Sequence, residues 1–211
     1  MPKKSLILLS GNEAIALGAL AAGLKFYAAY PMTPASNILH FLAAHEQEYK
    51  IIVKQTEDEI AAINMVIGAS IAGARSMCAT SGGGFALMTE GFGFGGIIET
   101  PFVVVVAMRP GPATGLPTWS GQGDLRQVMH AGQDEFPRII LAPGTIEECF
   151  QLTHQAFNLT DQFQAPAVIL IDKFLGESQI AVQSSKFKVQ SNKSKFKNEK
   201  SNNNLTIEQF N

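Results

Sequence analysis

The run Phe102-Val103-Val104-Val105-Val106-Ala107-Met108 constrains this chain more than any other feature. A short, unbroken, valine-rich apolar run has no polar face to give to water, so it reads as a strand buried on both sides. Such a strand needs helices above and below its sheet, and the rest of the chain supplies them. Apolar runs at 6–9, 26–30, 51–53, 76–80, 138–142 and 167–172 read as further strands, the first of them also buried. Segments 13–22, 34–46, 58–74, 85–97, 124–131 and 145–161 read as helices. Thr33 is placed to cap the second of these, with Pro34 at its first position, where the missing N–H costs nothing. Ser81-Gly82-Gly83-Gly84 reads as a tight connection before the fourth. Strands alternating with helices in this way predict an α/β fold with a doubly wound parallel sheet.

With 211 residues, 46% of them hydrophobic, the chain has enough apolar material for one domain with a sizeable core. The expected domain covers 1–178. The expected tail, 179–211, is polar and carries Lys186, Lys188, Lys193, Lys195, Lys197 and Lys200 among many Ser and Asn. That composition suits a disordered tail or a linker. A net charge of -2 argues against a nucleic-acid footprint. The apolar runs are too short to span a bilayer, and no cleavage signal follows the first, so a cytoplasmic protein is expected. Cys78 and Cys149 are too few to ligate an iron–sulfur cluster or a structural zinc, and reduced, buried thiols are expected. His40, His45, His130 and His154 form no metal-ligand pattern beyond the weak His40/His45 pair.

In a parallel sheet, ligands bind at the carboxyl ends of the strands. Three loops are expected there: Tyr30-Pro31-Met32-Thr33-Pro34, Gln55-Thr56-Glu57-Asp58-Glu59, and the loop that starts Arg109-Pro110-Gly111. An arginine with a hydroxyl at a helix start can cradle a carboxylate, because the guanidinium fork matches it bidentately. A carboxylate beside a nitrogen heterocycle can hydrogen-bond a ring nitrogen. Plainer roles fit the same residues: Thr33 as a cap, Glu57, Asp58 and Glu59 as the acidic first turn of a helix, Arg109 as a surface ion-pair partner. Neither a Gly-x-Gly-x-x-Gly fingerprint nor a lysine-ended phosphate loop accompanies the glycine run.

Gly11-Asn12-Glu13-Ala14 followed by Tyr30-Pro31-Met32-Thr33-Pro34-Ala35-Ser36 resembles the opening of the α subunit of 2-oxoacid:ferredoxin oxidoreductases. Gln55 to Ala62, the loop Arg109-Pro110-Gly111-Pro112-Ala113-Thr114-Gly115, then Gly123-Asp124-Leu125 and Asp134-Glu135-Phe136-Pro137-Arg138, continue the likeness over about residues 5–178. The resemblance implies the pyrimidine-binding domain of a thiamine-diphosphate enzyme. Such an enzyme converts a 2-oxoacid and coenzyme A to acyl-CoA, CO2 and reduced ferredoxin, with 2-oxoglutarate the first expectation for substrate. It implies a β subunit that holds the diphosphate, Mg2+ and [4Fe-4S] clusters on partner chains, and a γ subunit and ferredoxin as further partners.

By the same resemblance Glu59, with Glu57 as alternative, contacts N1′ of the aminopyrimidine and favours its 4′-imino tautomer. Thr33 and Arg109 face the substrate carboxylate, and Pro31 and Thr33 line the cofactor. Pro110 stands where the family has glycine, which stiffens the Arg109 loop. A non-catalytic assembly paralogue and a transketolase-like half-subunit are the alternatives. The Tyr30–Pro34 signature and the Arg109 loop suit a 2-oxoacid carboxylate better than a sugar phosphate.

Overall fold

The computed structural model describes residues 6–189. β1 (Leu6–Leu9) leads into α1 (Gly11–Ala21), β2 (Phe26–Ala29), α2 (Ser36–Ala44), α3 (Glu46–Tyr49) and β3 (Ile52–Gln55). α4 (Glu59–Ile71), β4 (Ser76–Thr80), α5 (Gly82–Ile97) and β5 (Val103–Met108) follow. Then come α6 (Leu125–His130), β6 (Ile139–Leu141), α7 (Ile146–Phe163), β7 (Ala167–Asp172), α8 (Lys173–Glu177) and β8 (Ile180–Gln183), with a 3-10 turn at Ser184–Lys186.

Six strands form one parallel sheet in the order β3-β2-β4-β5-β7-β6. β5 lies between β4 and β7, with Val104 opposite Cys78 on one side and Val168 on the other. Its side chains alternate between two cores. Val103, Val105 and Ala107 join the core under α1, α2 and α7, while Val104, Val106 and Met108 join the one under α4, α5 and α6. Val103 to Val106 are each fully buried, which contributes on the order of 1.5–3 kcal/mol per side chain. Both cysteines are free and buried, and burial pushes each thiol pKa up to about 12. Helix starts are fixed locally. Ser10 and Glu13 make a reciprocal capping box on α1, and Asp58, Thr145 and Asp172 accept backbone N–H bonds at the starts of α4, α7 and α8. Each such cap contributes about 1 kcal/mol. Among the described residues no helix is long and apolar enough to cross a membrane.

The chain runs from β2 out to β3, then crosses back to β4 on the other side of β2. The direction of winding therefore reverses between β2 and β4, and a crevice opens at the carboxyl ends of these strands.

Four expectations need correction. Leu6–Leu9 is not a buried strand of the main sheet; among the described residues β1 pairs only with β8, antiparallel, and Leu6 and Leu8 are 63% and 67% exposed. The boundary expected at 178 falls inside the fold, because β8 pairs with β1 and Phe187 and Val189 are buried. The rest of the expected tail, 190–211, lies outside the described residues. Thr33 is not a helix cap. The Ala35 N–H bonds the Met32 carbonyl at 2.8 Å, which puts Thr33 inside a turn, and α2 begins only at Ser36 with no side-chain cap. Gly82, Gly83 and Gly84 are not a connection but the first turn of α5. Their intrinsic cost in a helix, about 1 kcal/mol each, is offset by the close packing they permit.

Candidate active site

Each strand end at the crevice delivers one group. The Tyr30–Ala35 turn follows β2, Glu59 opens α4 after β3, Ser81 follows β4, and Arg109 directly follows β5. The Arg109 guanidinium donates from Nη1 to the Thr33 carbonyl at 2.6 Å, which ties the β5 end to the β2 loop. Arg109 is 9% exposed, and its Nε is buried with no partner among the described residues. Thr80, the last residue of β4, is fully buried and holds its hydroxyl 3.4 Å from Glu59 Oε1 and 3.7 Å from Met32 Sδ. A hydroxyl has one proton, so the two are alternative acceptors, and the carboxylate is the stronger. The three loops expected to converge do so, through Thr80 and Arg109.

Glu59 is 3% exposed, whereas Glu57 and Asp58 face solvent. Burial raises the Glu59 carboxyl above its ordinary pKa, and the Asp58 charge adds to this. Its backbone N–H, the Thr80 hydroxyl and the Arg109 guanidinium act in the opposite sense, without cancelling the rise. Asp58 is the exposed N-cap of α4 and Glu57 precedes it in solvent, whereas Glu59, the acidic residue of the first turn, is buried, so first-turn decoration alone does not account for it. Glycine at 84 is required by the same packing: a Cβ there would collide with the Thr80 hydroxyl and lie 2.5 Å from Glu59 Oε1.

A cavity of about 380 Å³ opens between the start of α5 and the Arg109 loop, lined in part by Ser81, Gly82, Arg109, Asp124 and Gln127. Asp124 packs its carboxyl where a side chain on Gly82 would be, and burial raises its pKa. The Arg109 loop is closed on itself by the Leu116 N–H to the Pro110 carbonyl, 2.9 Å, and is tethered by Gln122 Nε2 to Asp172 Oδ2, 2.6 Å. Gly115 has φ +58°, and any Cβ there would strike the Pro110 carbonyl. Pro110 thus sits in a loop already held at both ends.

Residues 17–210 match the protein-family model described as "Pyruvate flavodoxin/ferredoxin oxidoreductase, thiamine diP-bdg". The chain belongs to this family. It is 43% identical over 175 residues to the 2-oxoglutarate synthase subunit KorA of Archaeoglobus fulgidus, covering 83% of this chain and 51% of the relative. It is also 43% identical over 182 residues to the 2-oxoacid:ferredoxin oxidoreductase 1 subunit alpha of Sulfurisphaera tokodaii, covering 81% and 29%. Among solved structures it is similar to a 2-oxoglutarate:ferredoxin oxidoreductase from Magnetococcus marinus with 2-oxoglutarate, coenzyme A and succinyl-CoA bound. The TM-score is 0.84 at 42% identity, over 87% of this chain and 32% of that one. The chain thus spans between about half and under a third of the length of these relatives.

Three participants escaped the sequence reading. Thr80 is an ordinary strand residue by pattern, and its position at a strand's carboxyl end was the available signal. Asp124 lies in the Gly123-Asp124-Leu125 stretch, but nothing local marks its approach to α5. Asn12, also within a motif, is a fully buried amide in the first turn of a helix whose other buried residues are apolar or glycine. That mismatch of polarity was legible.

Proposed function

We propose that this chain is the α-type, pyrimidine-binding part of a thiamine-diphosphate-dependent 2-oxoacid:ferredoxin oxidoreductase. In this reading it works in the cytoplasm and takes 2-oxoglutarate first among substrates. The observation that carries the reading is a buried carboxyl of raised pKa, Glu59, in one crevice with a buried arginine anchored on the Thr33 carbonyl.

The residues fit the cofactor's pyrimidine. Glu59 is nearly inaccessible to bulk water and has one weak side-chain partner among the described residues, so it remains available to a ring nitrogen. Its raised affinity for a proton suits a group that shares one with N1′. Thiamine diphosphate, when bound, supplies the electron sink for cleavage next to the 2-oxo carbon. Glu59 holds the proton at N1′ and so sets the tautomer of the ring, while the Thr80 hydroxyl fixes the carboxyl's orientation. Arg109 pairs with the substrate carboxylate through the donors that Thr33 leaves free, and Thr33 and Pro31 wall the space between substrate and ring. Gly84 lets α5 close over Glu59 and keeps water from its carboxyl.

The remaining half of the site is assigned to a β subunit holding the diphosphate and Mg2+, with [4Fe-4S] clusters, a γ subunit and ferredoxin beyond it and coenzyme A as acyl acceptor. Leu87, Phe94 and Ile97 on α5, with Ile60 and Met65 on α4, are exposed and support a partner on that side.

The test is to co-purify the chain with its partner and to follow 2-oxoacid-dependent reduction of a viologen dye. Glu59→Ala should lower turnover by about 10²–10⁴-fold. A chain that purifies alone and never supports dye reduction would point instead to the non-catalytic assembly role.

A further inference from the structure

We propose that Asn12 is a positioning residue for the substrate-binding turn, a role that rests on the reading of Thr33 and Arg109 given above. Asn12 is 0% exposed and occupies the first turn of α1, whose other buried members are apolar or glycine. Its Nδ2 donates to the Pro34 carbonyl at 2.8 Å, across 22 residues of sequence. Its Oδ1 is buried and has no partner among the described residues. The orientation of the amide follows from chemistry, since only the NH2 end can face a carbonyl. A buried amide with half its capacity unmet is unfavourable compared with an apolar side chain of similar size. Fold stability alone therefore does not account for an asparagine here. Fixing the Pro34 carbonyl does.

The amide is clamped from behind. Gly11 allows α1 to pack directly on the Leu175 carbonyl of α8, where any Cβ would collide, and a Cβ on Gly176 would lie 3.2 Å from Asn12 Oδ1. Asp172, which caps α8, also receives Gln122 of the Arg109 loop. Asn12 and Arg109 therefore hold consecutive carbonyls of one turn: Asn12 takes Pro34 and Arg109 takes Thr33. Both holds trace back to the same short helix after β7. If Asn12 lets go, the Thr33 carbonyl moves, and the guanidinium aimed by it moves too. The side chain touches neither reacting atoms nor cofactor in this scheme, and its effect passes through the turn.

The experiment uses the full chain in complex with its partner subunit, with Asn12→Asp (same shape, no donor toward Pro34) and Asn12→Ser (shorter). Two readouts are taken. Amide hydrogen exchange should quicken over residues 30–36 while the strands β4 and β5 keep their protection. In the dye assay, KM for the 2-oxoacid should rise about tenfold in Asn12→Asp, with turnover changed much less and the apparent affinity for thiamine diphosphate unchanged. Unchanged exchange over 30–36 in a folded variant, or an unchanged KM beside faster exchange, overturns the proposal. Loss of protection throughout the domain in both variants also overturns it, because Asn12 would then be a structural residue only. The exchange measurement needs no turnover. A wild-type complex without 2-oxoacid activity thus sinks the proposed reaction and leaves the anchoring of the turn to be judged separately.

Discussion

Glu59→Gln separates a residue kept for chemistry from one kept for stability. Glu59 is buried and has its pKa raised, so the folded state binds its proton more tightly than the unfolded chain does. The sign follows from linkage. Between the ordinary carboxylate value and the raised folded value, the native state carries more protons, so stability falls as pH rises through that window. Above the window the ionised carboxylate is a constant burden on the fold, and below it the burden is absent. Glutamine has the same shape, keeps an oxygen for the Thr80 hydroxyl and never ionises. At pH 7.5, without cofactor or partner, the variant should be more stable than wild type by about 1 kcal/mol, or 2–4 °C in Tm for a chain of this size. The gap should shrink toward acid pH, and turnover in the complex should drop by about 10²–10⁴-fold. Urea unfolding at several pH values, beside the dye assay, checks both. A variant less stable than wild type at pH 7.5, or a gap that does not vary with pH, would refute the reasoning about burial even if activity were lost.

Two further substitutions probe the same crevice. Gly84→Ala drives a Cβ into the Thr80 hydroxyl and to 2.5 Å from Glu59 Oε1, so it should destabilise by about 1–3 kcal/mol and lower turnover as well; denaturant melts with kinetics read both. Arg109→Lys keeps the charge but loses the fork that reaches the Thr33 carbonyl and a carboxylate together. KM for the 2-oxoacid should rise at least tenfold, by about 1.4 kcal/mol or more, with turnover less affected.

The central sheet was legible because fully buried parallel strands write themselves as apolar runs, and 76–80, 102–108 and 167–172 each became one. β1 was misread for the same reason. Leu6–Leu9 is apolar, but an apolar run does not say what it pairs with, and its partner Ile180-Ala181-Val182-Gln183 is a run of only four residues. The Thr33-Pro34 pair matched a cap followed by a first helical residue, yet the bond from Ala35 to Met32 closes a turn first. For Gly82–Gly84, helix propensity pointed to a loop, while the tertiary approach of Asp124, Thr80 and Glu59 decided for a helix. Among the site groups, Glu59 and Arg109 came from motif resemblance, and burial then set Glu59 apart from Glu57. What no local pattern carried was the cross-bracing through Asn12, Thr80 and Asp172. Each bond in it joins residues that only the sheet order brings together.

The β1–β8 ribbon has a consequence for how such a unit can be used. Leu6 lies opposite Gln183, so the first and last strands of the described fold meet on a ribbon separate from the six-stranded sheet. Polypeptide joined to that ribbon can vary in length without straining a strand of the six-stranded sheet. A unit built this way behaves as a cassette, equally at home inside a long polypeptide or beside separate ones. That suits relatives in which the matching stretch makes up 51%, 29% or 32% of the whole.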